Sequence, residues 1–377
     1  MTTHSHLHIV SFDIPYPPNY GGVIDVYYKL KALAGAGIKI HLHCFEYHRE
    51  RAPHLNELCH SVNYYRRKTG LRAALNLQPY IVASRKSESL LYNLRQDNYP
   101  ILFEGLHSCY FLDAPELKDR MRIYRESNIE HLYYLHLSRA EKNLLKKIYF
   151  LTASLKLKWF QKKLTHADLM LTVSIEDTTY LQRHFPGKKV IYLPSFHRDD
   201  EVKGLTGKGD YLLYQGNLSV AENIRAAEFL IRDVIEEGMP HLIIAGLNPP
   251  AHLIRLAAGK KNVQIVADPD DETMFNLIRK AHVNLMVTFQ ATGLKLKLLN
   301  ALFNGRFCLV NPQMVAGTSL GKLCTIADHP DQFREKIRLL FTLEYTGAMI
   351  TERCEGLMDN YSNQKNCRIL TDLLHLL

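Results

Sequence analysis

Short apolar runs, each followed by a turn and an amphipathic helix, recur along the whole chain. The first group consists of the run 7–12 (LHIVSF), a helical pattern from Val23 to Leu33 and a second run, 38–45 (IKIHLHCF). A strand, a helix and a strand within about 40 residues form a βαβ unit, whose strands are parallel and whose crossover is right-handed. The alternation therefore predicts an α/β fold built on parallel sheets.

Further strand-like runs fall into two sets, separated by the polar and glycine-containing segment 194–209. The first set is 101–104, 122–124, 169–174 and 190–193, and the second is 211–216, 242–246, 263–266, 283–287 and 309–310. A chain of 377 residues is too long for one typical core. We therefore predict two Rossmann-like, doubly wound domains that face each other across a cleft, at residues 1–195 and 196–360. The helical tail, 361–377, is expected to pack back on the first domain.

The chain carries a formal charge of +9, which suits nucleic acid, an anionic membrane surface or a phosphorylated small substrate. It lacks zinc-finger spacing, a ribonucleoprotein aromatic motif and a heptad array, so we expect no nucleic-acid partner. The helical region 132–164 includes a stretch, Lys142 to Lys163, with seven lysines and no acidic residue among apolar side chains. That stretch suits either a membrane-surface element or a domain helix with a solvated basic face.

Seven scattered cysteines, without a C-x-x-C pair, argue against disulfides and structural zinc and favour a reducing compartment. The first residues lack a signal-peptide pattern, and the chain has no apolar stretch long enough to span a bilayer. These features predict a cytoplasmic protein, soluble or peripheral at the inner face of the membrane. They call for no cofactor and no bound metal.

Candidate binding residues follow the predicted strands, because doubly wound sheets bind ligands at the carboxyl ends of their strands. The Gly21-Gly22 pair would let backbone approach a phosphate or a sugar hydroxyl, or it is a plain tight turn. Gly216 and Asn217 open a Gly-Asn-Leu-Ser loop that suits an anion cradle, or Ser219 is an ordinary helix cap.

The segment 292–305 (TGLKLKLLNALFNG) places lysines near the start of a predicted helix that begins at Thr292 and Gly293. Lys295 and Lys297 stand at the positive end of the helix dipole, where an anion is needed to offset their charge. A diphosphate would supply that anion, and Asn300 could reach ribose hydroxyls. The other interpretation is a surface helix with solvated lysines.

The first half offers two polar groups that could act on a substrate. His107 follows the strand that ends at Glu104 and could orient an acceptor or a donor sugar, unless it is an ordinary loop histidine. A second group at a loop-to-helix junction is predicted to be catalytic or to line the cleft, unless it merely caps a helix. It comprises His131, Arg125, Asn128 and Glu130.

Several segments of the sequence resemble the GT-B glycosyltransferases, particularly family 4. In the second half they are YLLYQGNLSVAENIRAAEFL, LIIAG and TGLKLKLLNALFNGRFCLV, together with the loop 268–272. In the first half they are the early Gly-Gly loop, the strand end at 101–108 and RESNIEHLYY at 125–134. The likeness spans most of the chain and implies a donor-binding C-terminal domain and an acceptor-binding N-terminal domain.

By this resemblance, Lys295 or Lys297 binds the donor pyrophosphate. The chain departs from the family at the two acidic positions of the same segment, where it has Thr292 and Asn300. It departs again at Asn217 and Glu222, which stand where many members have a basic pair. The departures put the usual donor or full activity in question.

The resemblance implies a hexosyltransferase type of enzyme that transfers a sugar from a nucleotide-diphosphate sugar to a glycan or lipid-linked acceptor, as in polysaccharide biosynthesis. It further implies retention of anomeric configuration and no metal requirement. One alternative is a sugar-nucleotide 2-epimerase of GT-B fold, which would use His107 and Glu104 for proton transfer. Another is a non-catalytic nucleotide-sugar-binding protein, motivated by the missing carboxylates.

Overall fold

A computed structural model describes residues 6–70, 77–141, 143–289 and 295–376. The described part divides into two compact units, each with its own parallel sheet. The first unit holds the residues up to His197 together with those from Asn363 onward, and the second runs from Arg198 to Ser362.

The sheet of the first unit has seven described strands, all parallel, in the order β3-β2-β1-β4-β5-β6-β7. Their bounds are β1 His6–Ser11, β2 Lys39–Glu46, β3 Ser61–Arg66, β4 Ile101–Glu104, β5 Arg122–Arg125, β6 Leu169–Thr172 and β7 Lys189–Tyr192. This order reverses direction between β1 and β4, as in a Rossmann sheet.

Helices cover both faces of this sheet, so its strands are apolar on both sides. Val10 and Phe103 belong to the core on one face, whereas Ile9 and Leu102 belong to the core on the other. The helices are α1 Gly21–Gly35, α2 Leu55–Leu58, α3 Tyr80–Ala83, α4 Glu88–Leu94, α5 Glu130–Ala140, α6 Leu144–Phe160 and α7 Ile175–His184. Successive residues of a strand point to opposite faces, which explains the alternation.

The sheet of the second unit has six described strands, again all parallel, in the order β10-β9-β8-β11-β12-β13. They are β8 Tyr211–Gln215, β9 His241–Gly246, β10 Val263–Ala267, β11 Val283–Met286, β12 Phe307–Val310 and β13 Thr325–Ile326. The helices are α8 Ala221–Phe229, α9 Ala251–Ala258, α10 Asp271–Lys280, α11 Leu296–Asn304, α12 Pro312–Val315, α13 Pro330–Thr342 and α14 Gly347–Tyr361.

The last helix, α15 (Asn363–Leu376), packs against α1 in the first unit. Leu370 and Leu374 join the core that contains Leu30 and Leu33, and the Cys367 thiol donates to the backbone oxygen of Ala32. The predicted fold class, two Rossmann-like sheets with a returning C-terminal helix, is confirmed.

The predicted helical region 132–164 is divided in the structure into α5 and α6, which pack against each other. Glu141 has extended backbone angles that end α5, and the Asn143 side chain accepts from the backbone N–H of Lys146 to cap α6. An asparagine cap of this kind favours a new helix start over continuation. Strand β3 was not predicted, because its pattern SVNYYR has few apolar residues.

None of the described helices combines the length and the apolar character needed to cross a bilayer. The cysteine side chains are all free thiols.

A stack of imidazoles covers part of the β1–β2 pair. His8 Nδ1 lies 2.8 Å from His43 Nε2, and His6 Nδ1 lies 2.9 Å from His41 Nε2. Each contact needs one donor and one acceptor nitrogen, so the two rings of a pair cannot both be doubly protonated. Burial lowers the pKa of all four histidines, that of His8 to about 4 even though Asp97 opposes the shift.

We expect acid to loosen this strand pair. Because the folded state holds these histidines at pKa values below the ordinary 6.5, it favours their neutral forms. The resulting stabilisation is complete above about pH 6.5 and is lost as the pH falls toward about 4. Amide hydrogen exchange of β1 and β2 should accelerate over that range, after correction for the intrinsic pH effect.

His43→Gln should weaken this acid sensitivity, whereas substitution of the exposed His166 in the same unit should leave it unchanged. Equal acid sensitivity in the wild type and the His43 variant would contradict the assignment.

Candidate functional site

Ligands bind doubly wound sheets at the carboxyl edge, where the strand order reverses. In the first unit that point lies between β1 and β4, and in the second it lies between β8 and β11. The chain segments that leave these strands are therefore the places to examine for a site.

In the second unit, the backbone at Gly216 lies in contact with the backbone at Gly246, beside this edge. A Cβ atom added to Gly246 at the end of β9 would lie 1.8 Å from the carbonyl oxygen of Gly216, so no other residue fits there without moving the backbone. A Cβ on Gly216 would come within 3.1 Å of Asn223 Cγ. The glycines therefore bring the loop after β8 close to the neighbouring strand.

The loop after β8 is held by its own side chains. Asn217 Oδ1 accepts from the backbone N–H and the hydroxyl of Ser219, and Asn223 Nδ2 donates to the backbone oxygen of Asn217 at 2.9 Å. Val220, and not Ser219, is the N-cap residue of α8. The N–H groups of Leu218, Ser219 and Val220 already have protein acceptors, so most of this predicted anion cradle is occupied by internal bonds.

Lys297 reaches this loop from the first turn of α11. Its Nζ lies 3.3 Å from Asn223 Oδ1 and 5.6 Å from the centre of the Tyr214 ring. No described carboxylate lies within 4 Å of its ammonium group. Burial lowers the pKa of Lys297, and the charge of Glu222 opposes the shift. This half-buried cation lacks a direct counter-ion in the described part of the chain.

Thr288 follows β11 and was not singled out from the sequence. Its hydroxyl donates to the carboxylate of Glu222 in the first turn of α8, and its backbone N–H donates to Asn311 Oδ1 at 3.1 Å. The rule that ligand-binding residues follow the strands could have found it. Together, Glu222, Thr288 and Lys297 surround the point where the order of this sheet reverses.

Of the other predicted donor-binding residues of this segment, the structure describes Lys295 and Asn300. Helix α11 begins at Leu296, later than predicted, with Lys295 as its half-buried N-cap residue. Asn300 Oδ1 accepts from Asn304 Nδ2 at 2.9 Å. Thr292 and Gly293 lie outside the described residues.

Aromatic and glycine residues shape the corresponding edge in the first unit. Helix α1 begins at Gly21, and a Cβ on Gly22 would lie 2.6 Å from the Phe12 ring. Gly105 has a φ of +70°, which other residues rarely adopt. These glycines leave room for Phe12 and for the imidazole of His107, whose ring centres are 5.4 Å apart.

His107 and Glu130 are brought together, with Nδ1 3.8 Å from Oε1. Burial lowers the pKa of His107 well below its usual value and raises the pKa of Glu130 to about 8. Burial thus favours the neutral form of both groups, and the contact is too long for a hydrogen bond. His107 Nδ1 is buried and has no hydrogen-bond partner among the described residues.

Arg125 and Glu104 lie within a buried ionic network. Arg125 donates to both carboxylate oxygens of Asp25 at 3.2 and 3.3 Å, and Lys29 Nζ lies 2.9 Å from Asp25 and 2.7 Å from Glu104. Burial by itself would raise the pKa of Asp25, but Arg125 and Lys29 lower it to about 2. The structure thus gives both predicted site residues structural partners.

His131 and Asn128 have hydrogen-bond partners other than His107 and Glu130. His131 Nδ1 lies 2.8 Å from Gln161 Oε1, and the His131 backbone oxygen accepts from Ser154 of α6. The backbone N–H of Asn128 donates to the buried Glu126 carboxylate. The described residues contain no cluster of three or more His, Cys, Asp or Glu side chains suited to a metal ion.

Comparison with known proteins gives one curated relative of similar length. It is an uncharacterised 44.6 kDa protein in the cps region of Klebsiella pneumoniae, 25% identical over 353 residues, covering 86% of this chain and 85% of that protein. No family model matches the sequence.

Solved glycosyltransferases share the fold across nearly the whole chain. HepE from Anabaena, in complex with UDP and glucose, has a TM-score of 0.65 at 9% identity over 99% of this chain and 100% of HepE. A UDP-forming α,α-trehalose-phosphate synthase from Burkholderia xenovorans has a TM-score of 0.63 at 10% identity, over 98% of this chain and 99% of the synthase. The chain therefore has the GT-B fold, as the resemblance of its sequence segments predicts.

Proposed function

We propose that this protein is a glycosyltransferase that uses a nucleotide-diphosphate sugar as donor. The observation that carries the proposal is the half-buried Lys297 ammonium, which lies beside the reversal point of the second sheet with no described carboxylate within 4 Å of it. A diphosphate would supply the missing negative charge. The UDP in the HepE complex and the cps region of the relative support this choice.

Donor binding would combine Lys297 with the first turn of α11, whose N–H groups point toward the helix start. As the bond to the sugar breaks, negative charge grows on the leaving diphosphate. An ammonium group and oriented N–H groups stabilise that charge, which lowers the barrier. We further infer retention of configuration and no metal requirement, supported by the resemblance of 292–305 to family 4.

Lys297→Met should weaken nucleotide-sugar binding at least about tenfold, since a hydrogen bond to a charged group contributes about 1.5–3 kcal/mol. The measurement is the rise in melting temperature with UDP-, GDP-, ADP- and TDP-sugars, followed by titration calorimetry with the best of them. Lys261→Met removes an exposed lysine from the same unit and serves as the control. Unchanged affinity in the Lys297 variant would refute the phosphate site.

His107 is proposed to position a hydroxyl group of a substrate through its neutral imidazole. His107→Asn should lower kcat by about 10² or more, the range typical of a positioned imidazole, while nucleotide binding stays intact. Transfer is measured as nucleotide release with a panel of glycan and lipid-linked acceptors, and NMR of the product gives its anomeric configuration. An exposed-histidine variant, His166→Asn, is the control.

Tight donor binding by the wild type without transfer to any acceptor would favour the non-catalytic alternative. Full activity of the His107→Asn variant would contradict the positioning role of His107. It would not affect the proposed donor site at Lys297.

We further infer that α6 contacts an anionic membrane surface at the inner face. A stripe of apolar side chains at helical spacing is exposed along it: Leu144, Ile148, Leu151, Leu155 and Trp159. Lys146, Lys147, Lys156 and Lys158 accompany the stripe, and Lys142 lies outside the described residues. Exposed apolar side chains among lysines are typical of helices that lie in the interface of a bilayer.

Vesicle sedimentation tests this contact. The protein should bind vesicles that contain phosphatidylglycerol and bind less as salt rises, because lysine attraction to anionic lipid is screened. The double variant Ile148→Gln and Leu155→Gln changes only exposed positions and should lose most of the binding. Leu339→Gln, at an exposed leucine of α13, is the control, and equal binding by the double variant would contradict the proposal.

A further inference from the structure

A pair of arginines lies near the carboxyl edge of the first sheet, outside every motif discussed above. Arg85 is only 6% exposed, and its Nε donates at 2.7 Å to the backbone oxygen of Phe12, directly after β1. Its Nη1 donates to the backbone oxygen of Ile81 in α3. These bonds fix the guanidinium beside the reversal point of the sheet, close to His107 and Glu130, whose pKa values it influences.

Arg67 lies close to Arg85. Its guanidinium contacts two rings, 4.7 Å from the centre of Tyr47 and 5.5 Å from that of Tyr80, and its Nε donates to Ser84 Oγ at 2.9 Å. Burial and the positive charge of Arg67 both lower the pKa of Arg85, to about 9. The two cations are therefore near enough to repel each other.

These arginines have no direct counter-ion in the described part of the chain. No described carboxylate lies within 4 Å of either guanidinium. Burial raises the pKa of the nearby Glu130 to about 8, which favours its neutral form, although the charge of Arg85 opposes the shift. Only Nε and Nη1 of Arg85 donate to described residues. A buried guanidinium without a paired anion is costly, and a ligand with planar or tetrahedral oxyanion geometry would relieve the cost.

A mainly apolar cavity shares two residues with the surroundings of the arginine pair. Its volume is about 130 Å³, and it lies between α3, α5 and α6, with Tyr80, Ile81, Tyr134, Tyr149 and Leu157 among its lining residues, together with the polar Thr152 and Lys156. Tyr80 also contacts Arg67, and Ile81 accepts the hydrogen bond from Arg85. A cavity of roughly 150 Å³ accommodates a benzene molecule, so this one suits a segment of hydrocarbon.

We propose that the acceptor is a lipid phosphate, whose phosphate binds Arg85 and Arg67 and whose hydrocarbon chain places its first segment in this cavity. One phosphate oxygen would attack the anomeric carbon of the donor sugar as the bond from that carbon to the diphosphate breaks, so the sugar is transferred to the phosphate and the nucleotide diphosphate leaves. The proposal rests on the transferase function inferred above and names the acceptor class for it. A charged group and an apolar pocket that share two residues match an amphiphile better than a neutral glycan. Helix α6, which carries the exposed apolar stripe, also forms one wall of the cavity, so a lipid would reach it from the membrane side of this unit.

The single tryptophan of the chain, Trp159 of α6, provides an optical readout of this helix. Its side chain is exposed, whereas Leu157 lines the cavity from the buried face, so its emission reports a change in α6 and not contact with the ligand. Decyl phosphate, below its critical micelle concentration, should change the Trp159 emission and bind at least about tenfold more tightly than either inorganic phosphate or decyl glucoside. Calorimetry gives the affinities independently of the fluorescence.

Arg67→Gln and Arg85→Gln should each weaken decyl phosphate binding about tenfold or more, whereas Arg95→Gln, at an exposed arginine of the same unit, should not. Arg67 is less buried than Arg85, so its variant keeps the test valid if Arg85→Gln fails to fold. Nucleotide-sugar affinity is measured on the same variants and should be unchanged, which separates this proposal from the donor site.

Three results would overturn the proposal. If decyl glucoside bound as tightly as decyl phosphate, the phosphate group would not contribute to binding. If inorganic phosphate bound as tightly as decyl phosphate, the hydrocarbon chain would not contribute. Unchanged decyl phosphate affinity in Arg67→Gln would show that the arginine pair does not bind the headgroup. Because each result concerns the acceptor probe alone, none of them bears on donor binding at Lys297.

Discussion

The buried contact between Asp25 and Arg125 underlies the order of the first unit. Arg125 also donates to the backbone oxygens of Leu193 and Pro194, and Asp25 accepts from the backbone N–H of Phe196. One charge pair thus ties α1, the end of β5 and the chain that leaves β7. Removing one partner of such a buried pair leaves an uncompensated charge, which typically costs about 3–5 kcal/mol. The segment that leads out of this unit therefore has a fixed starting point.

The candidate sites show the opposite electrostatic arrangement. Lys297 in one unit and Arg85 in the other are held beside the reversal point of their sheet, and Arg67 lies close to Arg85. None of the three has a described carboxylate in contact with its charged group. Cations in the interior of proteins are normally paired. The contrast with the fully paired Asp25 network is what points to anionic ligands, and it separates structural charges from binding charges within one molecule.

Some site residues were within reach of the sequence and others were not. The position of Lys297 near a helix start followed from its spacing after a strand, and Thr288 would have followed from the same rule. Arg85 could not be found this way, because it comes after the one-turn helix α3 and not after a strand. Glu104 was found at its predicted strand end, but only packing showed that its carboxylate pairs with Lys29.

The sequence by itself determined the α/β class, the two successive sheets and the helical tail, because each depends on local periodicity and on short connections. The return of that tail to the first unit was expected only from the two-domain arrangement. It also determined the charge and apolar content of α6. Only the tertiary structure decided which charges are neutralised and which apolar stripe stays uncovered. Ion pairing and burial join residues as distant as Asp25 and Arg125, and no local pattern encodes such distances.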